Sequence, residues 1–334
     1  MPYTALAIVA EAPSTLTLTT VDLPEMRPDQ VVIRTSLSGF STGTDRWVMS
    51  GRFEWGGFSF PLIPGYQTVG TVVAVGAEVT RVAAGQKVVA IVARTPGAIA
   101  SAWGCHASMI VSDESNVFDA SGVPEISAAF IVSAQVGFNA ASRLAPGPGG
   151  RVCVIGDGII GASAALAAAA RGFTVLLQGR HEERLAPFAD SPIETLDART
   201  APDDALERWH PDAVIDTVQN DSAFAAYINA LPRGGQVVYS GHTPDGVKHW
   251  GDMAELQQHE IRADFVSGWT PNRLLATLDA MRTGAMDLAP LVTAVASDRD
   301  DALALAHSVA TGGLSAPAAA IDWSAIGHAP TPGM

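Results

Sequence analysis

Gly156-Asp157-Gly158-Ile159-Ile160-Gly161 is the segment whose residue types and spacing most plainly imply a chemistry. It directly follows the apolar run Arg151-Val152-Cys153-Val154-Ile155 and opens an Ala-rich stretch that reaches about Ala170. Between a strand and a helix, such spacing cradles a dinucleotide. The first glycine makes the tight turn, the second admits the pyrophosphate to the backbone, and the third lets helix and strand pack closely. The helix N-terminus adds free N–H groups and a partial positive charge. Gly156, Gly158, Ile159, Ile160 and Gly161 are therefore the expected phosphate cradle. Thr217 and Gly241, just past two later strands, are counted with it. The plain alternative is an accidental glycine-rich turn.

The next strand should carry the ribose reader. An NAD site usually ends that strand with Asp or Glu, about 20 residues past the first glycines. Here it ends Leu177-Gln178-Gly179-Arg180, with no acid. Gly179 in the carboxylate's place is expected to leave room for a 2′-phosphate, so that Gly179→Asp would reverse the cofactor preference. Arg180 and Arg184 are then the expected partners of that phosphate, because guanidinium–phosphate bonds are charge-assisted and bidentate. This favours NADP(H). The alternative keeps both arginines as solvated helix-start residues, with Gln178 on the ribose of NAD(H).

These residues need a scaffold. The chain has 334 residues and is 48% hydrophobic, enough for a core split over two domains. Up to about residue 122, short β-branched runs alternate with Gly and Pro. Val31–Thr35, Gly70–Gly76 and Lys87–Val92 are examples, and they suggest a barrel or folded sheet. After Pro124 the pattern changes. Ile126–Leu144 reads as a helix closed by Pro146-Gly147-Pro148-Gly149-Gly150. Strands at Phe173–Leu177, Ala213–Asp216 and Gln236–Ser240 then alternate with helices, which implies a doubly wound parallel sheet. Pro271–Thr283 reads as helical, and the tail strand Ala318–Trp323 is expected to return to the first domain. The expected division is 1–122 with 270–334 as catalytic domain, and 123–269 as nucleotide-binding domain.

Charge and composition narrow the function. The net charge is −14 with no basic stripe, so no nucleic-acid partner is expected. Met1–Thr20 reads as a first strand and lacks the basic start of a signal peptide. No apolar run is long enough to span a bilayer. Two cysteines, Cys105 and Cys153, cannot make a disulfide framework, and a cytoplasmic location fits.

Almost the whole chain resembles the medium-chain dehydrogenase/reductase family. The resemblance rests on Ser41-Thr42-Gly43-Thr44-Asp45, Pro64-Gly65-Tyr66-Gln67-Thr68-Val69-Gly70 and the glycine fingerprint. It implies a GroES-like folded β-barrel catalytic domain with a Rossmann domain. In zinc-dependent members the first segment reads Cys-Gly-x-Asp and the second Gly-His-Glu. Here Thr42 replaces the cysteine, Tyr66 the histidine and Gln67 the glutamate, while the third ligand position falls near Val132 and Ser133. The four-cysteine structural zinc lobe is also missing. Zinc prefers thiolate, imidazole and carboxylate ligands, so no metal is expected. Ser38–Thr44, Ser50-Gly51-Arg52, Tyr66, Gly268-Trp269 and Ile321-Asp322-Trp323 further resemble a zinc-lacking branch, the hydroxyethyl-bacteriochlorophyllide a dehydrogenases. Those enzymes oxidise a secondary alcohol on a chlorin ring, and NAD is their expected cofactor.

The resemblance puts Tyr66 at the metal-histidine position, where its hydroxyl would meet the reacting carbonyl. Thr42 and Thr44 would relay a proton, and Asp45 would orient that relay or cap the following helix. For Tyr66, substrate lining and plain packing remain open. Trp47, Trp55, Phe58, His106 and Trp269 are the candidate substrate pocket, with Phe53 and Phe60 in the same aromatic-rich set; core packing is the alternative for each. His106 is also a possible acid at the cleft edge. The leading expectation is a zinc-independent NADP(H)-dependent alcohol dehydrogenase or ketone reductase for an apolar, bulky substrate. The alternatives are the NAD-dependent pigment enzyme, a quinone or enoyl reductase, and a non-catalytic NADPH-binding protein. The strand Arg262–Val266 is an expected sheet edge, which points to a homodimer or homotetramer.

Overall fold

The computed structural model describes residues 3–53, 57–241 and 251–327. A six-stranded parallel sheet forms one half of it. Its spatial order is Glu194–Asp197, Thr174–Gly179, Arg151–Ile155, Ala213–Asp216, Gln236–Ser240, Arg262–Val266. In chain order this is 3-2-1-4-5-6, the doubly wound nucleotide-binding arrangement, with the switch point beside Arg151–Ile155. The strands Arg151–Ile155 and Ala213–Asp216 are buried almost throughout, as a sheet covered on both faces requires.

The other half is built from a seven-stranded and a four-stranded sheet. The long strand Gln30–Phe40 is the hub of the larger one. It pairs with Thr68–Val75 and Met109–Asp113, and its far end pairs with Ala318–Asp322. The tail therefore returns to the first domain as the sequence implies. The architecture is a GroES-like β domain plus a Rossmann domain. The helix Pro271–Arg282, just past the expected boundary at 270, packs through Leu274, Leu278 and Met281 into the same core as the helix Ile131–Ser142.

The helix expected over Ile126–Leu144 is interrupted. Glu125–Ala128 and Ile131–Ser142 are separate helices, broken at Ala129 and Phe130. The cause is a long-range contact. Gln67 Oε1 accepts the N–H groups of Val132 (3.1 Å) and Ser133 (3.0 Å), so it takes two donors that a continuous helix would bond internally. Gly39 allows the break to sit against the barrel, where an added Cβ would lie 2.5 Å from the Ala129 carbonyl oxygen.

Both cysteines are buried free thiols. Among the described residues no helix is long and apolar enough to cross a membrane.

Candidate active site between the two domains

The glycine turn has the shape its spacing implies. Gly156 has φ +113°, a left-handed conformation that favours glycine, and an added Cβ would lie 2.3 Å from Thr217 Oγ1. At Gly161 the added Cβ would be 1.9 Å from the Gly156 carbonyl oxygen. At Gly158 it would meet nothing within 4 Å, so the second glycine faces open space. Gly158 is also the N-cap of the helix Ile159–Ala170 and offers no side-chain cap. The helix N–H groups are thus left for an anion, and the cradle fits a pyrophosphate.

A cavity of about 1240 Å³ runs from this turn into the barrel. All the expected phosphate-cradle residues line it, together with Thr217, Gly241, Gly179 and Arg180. At its barrel end it is lined by Thr42, Thr44, Trp47, Tyr66 and Trp269. Most of the sequence-derived cofactor and catalytic residues therefore line one space. Thr217 Oγ1 donates to the Ile155 carbonyl (2.8 Å), which pins the loop opposite Gly156. The buried Asp216 carboxylate accepts the N–H groups of Val218 and Gln219 and steadies the same loop.

Tyr66 is only 7% exposed. Its ring makes an edge contact with Trp103 (5.3 Å between centroids) and stacks near Trp269 (6.1 Å). Burial, and after it the nearby Asp45 carboxylate, push its pKa up to about 12, against the opposing effect of the Ser41, Thr44 and Ser133 hydroxyls around the phenol. The phenol therefore stays protonated, and a protonated phenol donates. Ser41 and Ser133 join the expected Thr44 in this hydroxyl cluster. Neither is distinguishable from an ordinary serine by type. Thr42 lines the cavity beside the cluster.

Several expectations need correction. Asp45 does not face the cavity or cap its helix. It is fully buried in the first turn of Thr44–Met49 and accepts the Ser41 N–H at 2.7 Å. His106 is not at the cleft edge. It is fully buried under Gly65, bonded to Ser38 Oγ (2.9 Å) and 3.4 Å from Asp45 Oδ2. Trp323 Nε1 donates to Ser38 Oγ at 2.9 Å. One self-consistent donor order runs from Trp323 through Ser38 and His106 to Asp45, so the carboxylate is held by a buried chain behind Tyr66. Phe58 lies outside the main cavity and lines a neighbouring one of about 450 Å³, against Trp103. Trp55 lies outside the described residues.

Two cofactor expectations also change. Gly179 does not leave vacant space: the Asp157 side chain fills it, 2.5 Å from where a Cβ would stand. Arg184 is not among the cavity-lining residues. Its guanidinium donates to the carbonyls of Leu314 (2.9 Å) and Ser315 (2.8 Å) and so ties the two domains together. The missed pocket residue is Trp103, which lines both cavities and adopts φ +67°. The adjoining Gly104 is the only local hint of that turn.

Among the described residues no group of three or more His, Cys, Asp or Glu could hold a metal ion. Gln67, at the glutamate position of the zinc-dependent pattern, is fully buried and bonds to Gly39, Val132 and Ser133.

Residues 27–124 match the alcohol dehydrogenase GroES-like domain family. The 2-desacetyl-2-hydroxyethyl bacteriochlorophyllide A dehydrogenase of Cereibacter sphaeroides is 25% identical over 90% of this chain and 94% of its own length. The crystal structure of 2R,3R-butanediol dehydrogenase from Bacillus subtilis superposes with a TM-score of 0.81, covering 95% of this chain and 99% of that one at 16% identity. A Sinorhizobium meliloti protein assigned as a zinc-binding dehydrogenase, bound to NADP, gives 0.79 over 96% and 99% at 20% identity. At these identities the structural likeness is one of fold.

The raised Tyr66 pKa is directly testable. Ultraviolet titration of wild type against Tyr66→Phe should show no Tyr66 ionisation near the ordinary tyrosine value of about 10. A phenolate removed by the substitution and formed at that ordinary value would show that burial and Asp45 do not act as described.

Proposed function

We propose that this chain is a medium-chain dehydrogenase/reductase that moves a hydride between NADP(H) and a bulky, apolar secondary alcohol or ketone, without a catalytic metal. The observation that carries this reading is the single cavity with the glycine turn at one end and the Tyr66 phenol, between two tryptophans, at the other. A bound nicotinamide supplies or accepts the hydride. The protein must hold the reacting oxygen and meet the charge that develops on it. Tyr66, kept protonated, donates a hydrogen bond to that oxygen. Thr44, whose hydroxyl acts on the phenol and which lines the cavity, links it to the solvent side. Asp45, held by His106 and the Ser41 N–H, acts on Tyr66 from behind as a positioning residue. Trp47, Phe53, Trp103 and Trp269 offer a large ring apolar walls.

The chemistry of the donors supports metal independence. Thr42, Tyr66 and Gln67, with Val132 and Ser133 near the remaining ligand position, stand where zinc-dependent members place ligands, and none is a ligand zinc prefers. Activity should survive exhaustive chelation. One tightly bound zinc per chain, with activity lost on its removal, would sink this part of the reading.

Tyr66→Phe tests the catalytic assignment. One well-aimed donor lost from the developing oxyanion should lower kcat by roughly 10- to 1,000-fold, with a smaller change in substrate binding. Near-wild-type turnover would make Tyr66 a pocket wall and move attention to Thr42 and Thr44.

The cofactor reading rests on Arg180. Among the described residues its exposed guanidinium has no hydrogen-bond or ion-pair partner, and it lines the cavity beside the end of the second strand. Losing one charge-assisted pair should weaken NADPH by roughly 10- to 150-fold in Arg180→Ala and leave NADH nearly unchanged. Equal weakening of both cofactors would contradict it.

A second reading follows from a relative that is matched along most of the chain. The substrate would be the hydroxyethyl group of a bacteriochlorophyllide, with NAD, the cofactor the sequence resemblance implies. Turnover of that pigment with NAD, together with a wild type that prefers NADH, would select it.

The strand Arg262–Val266 is the outer strand of the six-stranded sheet, and Phe265 on it is 76% exposed. An open edge with an exposed aromatic suits pairing with a second copy across a two-fold axis. The protein should run as a dimer or larger in light scattering, and a concentration-independent monomer would refute this.

A further inference from the structure

We propose that Asp157, the second residue of the glycine fingerprint, sets the nucleotide preference of this chain. Its carboxylate folds the Arg180–His181 turn so that the Arg180 guanidinium faces the 2′-phosphate of NADP(H). It does so as a positioning residue and not as a ribose ligand. This rests on the NADP(H) reading above and names the part of the molecule that enforces it.

Space is the first argument. Parallel pairing aligns Ile155 with Gln178, which brings the glycine turn beside Gly179. A Cβ on Gly179 would stand 2.5 Å from both Cβ and Oδ2 of Asp157. Real Cβ atoms do not approach so closely, so Asp157 imposes glycine at 179. The usual strand-end acid is sterically excluded, and a carboxylate from another strand–helix turn fills its place.

The second argument is what that carboxylate already does. Asp157 Oδ2 accepts the Arg180 N–H at 2.7 Å and the His181 N–H at 2.9 Å, and lies 2.9 Å from His181 Nδ1. Three donors exhaust one carboxylate oxygen. Oδ1 lies 3.5 Å from Arg184 Nη1, and the whole side chain is 8% exposed. A ribose hydroxyl would have to displace a built network to be read by this acid. Consecutive backbone N–H groups bonded to one oxygen instead fix the turn from which the Arg180 and His181 side chains leave. Both residues line the cavity.

The third argument is charge. A bare carboxylate at this place would repel a phosphate. Here Arg184 lies against it, braced by the carbonyls of Leu314 and Ser315. Arg180 is left as an unpaired guanidinium among the described residues. With His181 Nδ1 turned to Asp157, Nε2 is the ring nitrogen free to face a ligand. Arg180 is thus the free guanidinium that lines the cavity there.

The experiment is fluorescence titration of NADPH and NADH into wild type, Asp157→Gly, Gly179→Asp and the double variant Asp157→Gly/Gly179→Asp. Asp157→Gly should raise the NADPH Kd roughly 10-fold or more and change NADH little, because the phosphate clamp loosens while the glycine cradle stays. Gly179→Asp alone should weaken both cofactors, since its side chain meets Asp157. The double variant moves the carboxylate to the strand end and should prefer NADH. Asp157→Asn keeps the shape and drops the charge. It should lower the NADPH preference in the same direction by roughly 3- to 10-fold, and it serves if the glycine variant does not fold. An unchanged NADPH-to-NADH ratio in both Asp157 variants, with wild type preferring NADPH, would overturn the role of Asp157 and leave the cofactor reading standing. Wild-type binding of NADH by Gly179→Asp would overturn the steric argument. A wild type that prefers NADH would overturn the cofactor reading itself.

Discussion

The side-chain amide of Gln67 holds the two halves of the site together. It is fully buried, and each of its polar atoms is engaged twice. Nε2 donates to the Gly39 carbonyl (3.3 Å) and Ser133 Oγ (3.0 Å), while Oε1 accepts from the N–H groups of Val132 and Ser133. An amide has two donors and two acceptor positions, so this is its full capacity. A glutamate would lack the donors and set a carboxylate oxygen against the Gly39 carbonyl. Breaking such a network leaves buried polar groups unpaired, at about 1–3 kcal/mol each. The amide starts the helix Ile131–Ser142 at a defined residue. It places Ser133 beside Tyr66, the neighbour of Gln67 in the chain, and so joins the barrel to the nucleotide-binding half.

Around that junction, polar and apolar demands are separated. The floor of the barrel-side cavity is a cluster of hydroxyls, and its walls are aromatic rings. Behind the floor, the chain of Trp323, Ser38, His106 and Asp45 keeps a carboxylate close enough to raise the Tyr66 pKa but out of contact with a ligand. Trp103 is placed between two cavities at φ +67°, a conformation a bulky residue adopts only when its surroundings require it. Here the Ala93 N–H donates to its carbonyl at 2.6 Å, and Tyr66, Phe53 and Phe58 pack on its ring. The Tyr66 end of the cavity is thus shaped by long-range packing, whereas the glycine-turn end is shaped by one local turn.

That difference decides how far the sequence could be read. The glycine fingerprint, five of the six strands of the parallel sheet and the returning tail strand were legible from residue type and spacing; the exposed edge strand Glu194–Asp197 was not. Their physics is local: a φ above zero at Gly156, close packing at Gly161, open space at Gly158, and apolar runs that must be buried. Tyr66 stood out because it replaces a metal ligand within a familiar segment. What surrounds it was not legible. Ser41 and Ser133 are ordinary serines until Gln67 and the helix break at Ala129 and Phe130 bring them to one phenol. His106 reads the same whether it lines a cleft or lies under Gly65, and only the approach of another strand decides that. Gly179 reads as a missing acid in the sequence; in the fold it is the room that Asp157 needs. Sequence alone determined which backbone turn forms the glycine cradle, because the residues of that turn are contiguous. Tertiary structure decided which side chains face the ligand, because residues 22 apart meet only when the strands Arg151–Ile155 and Thr174–Gly179 pair in register.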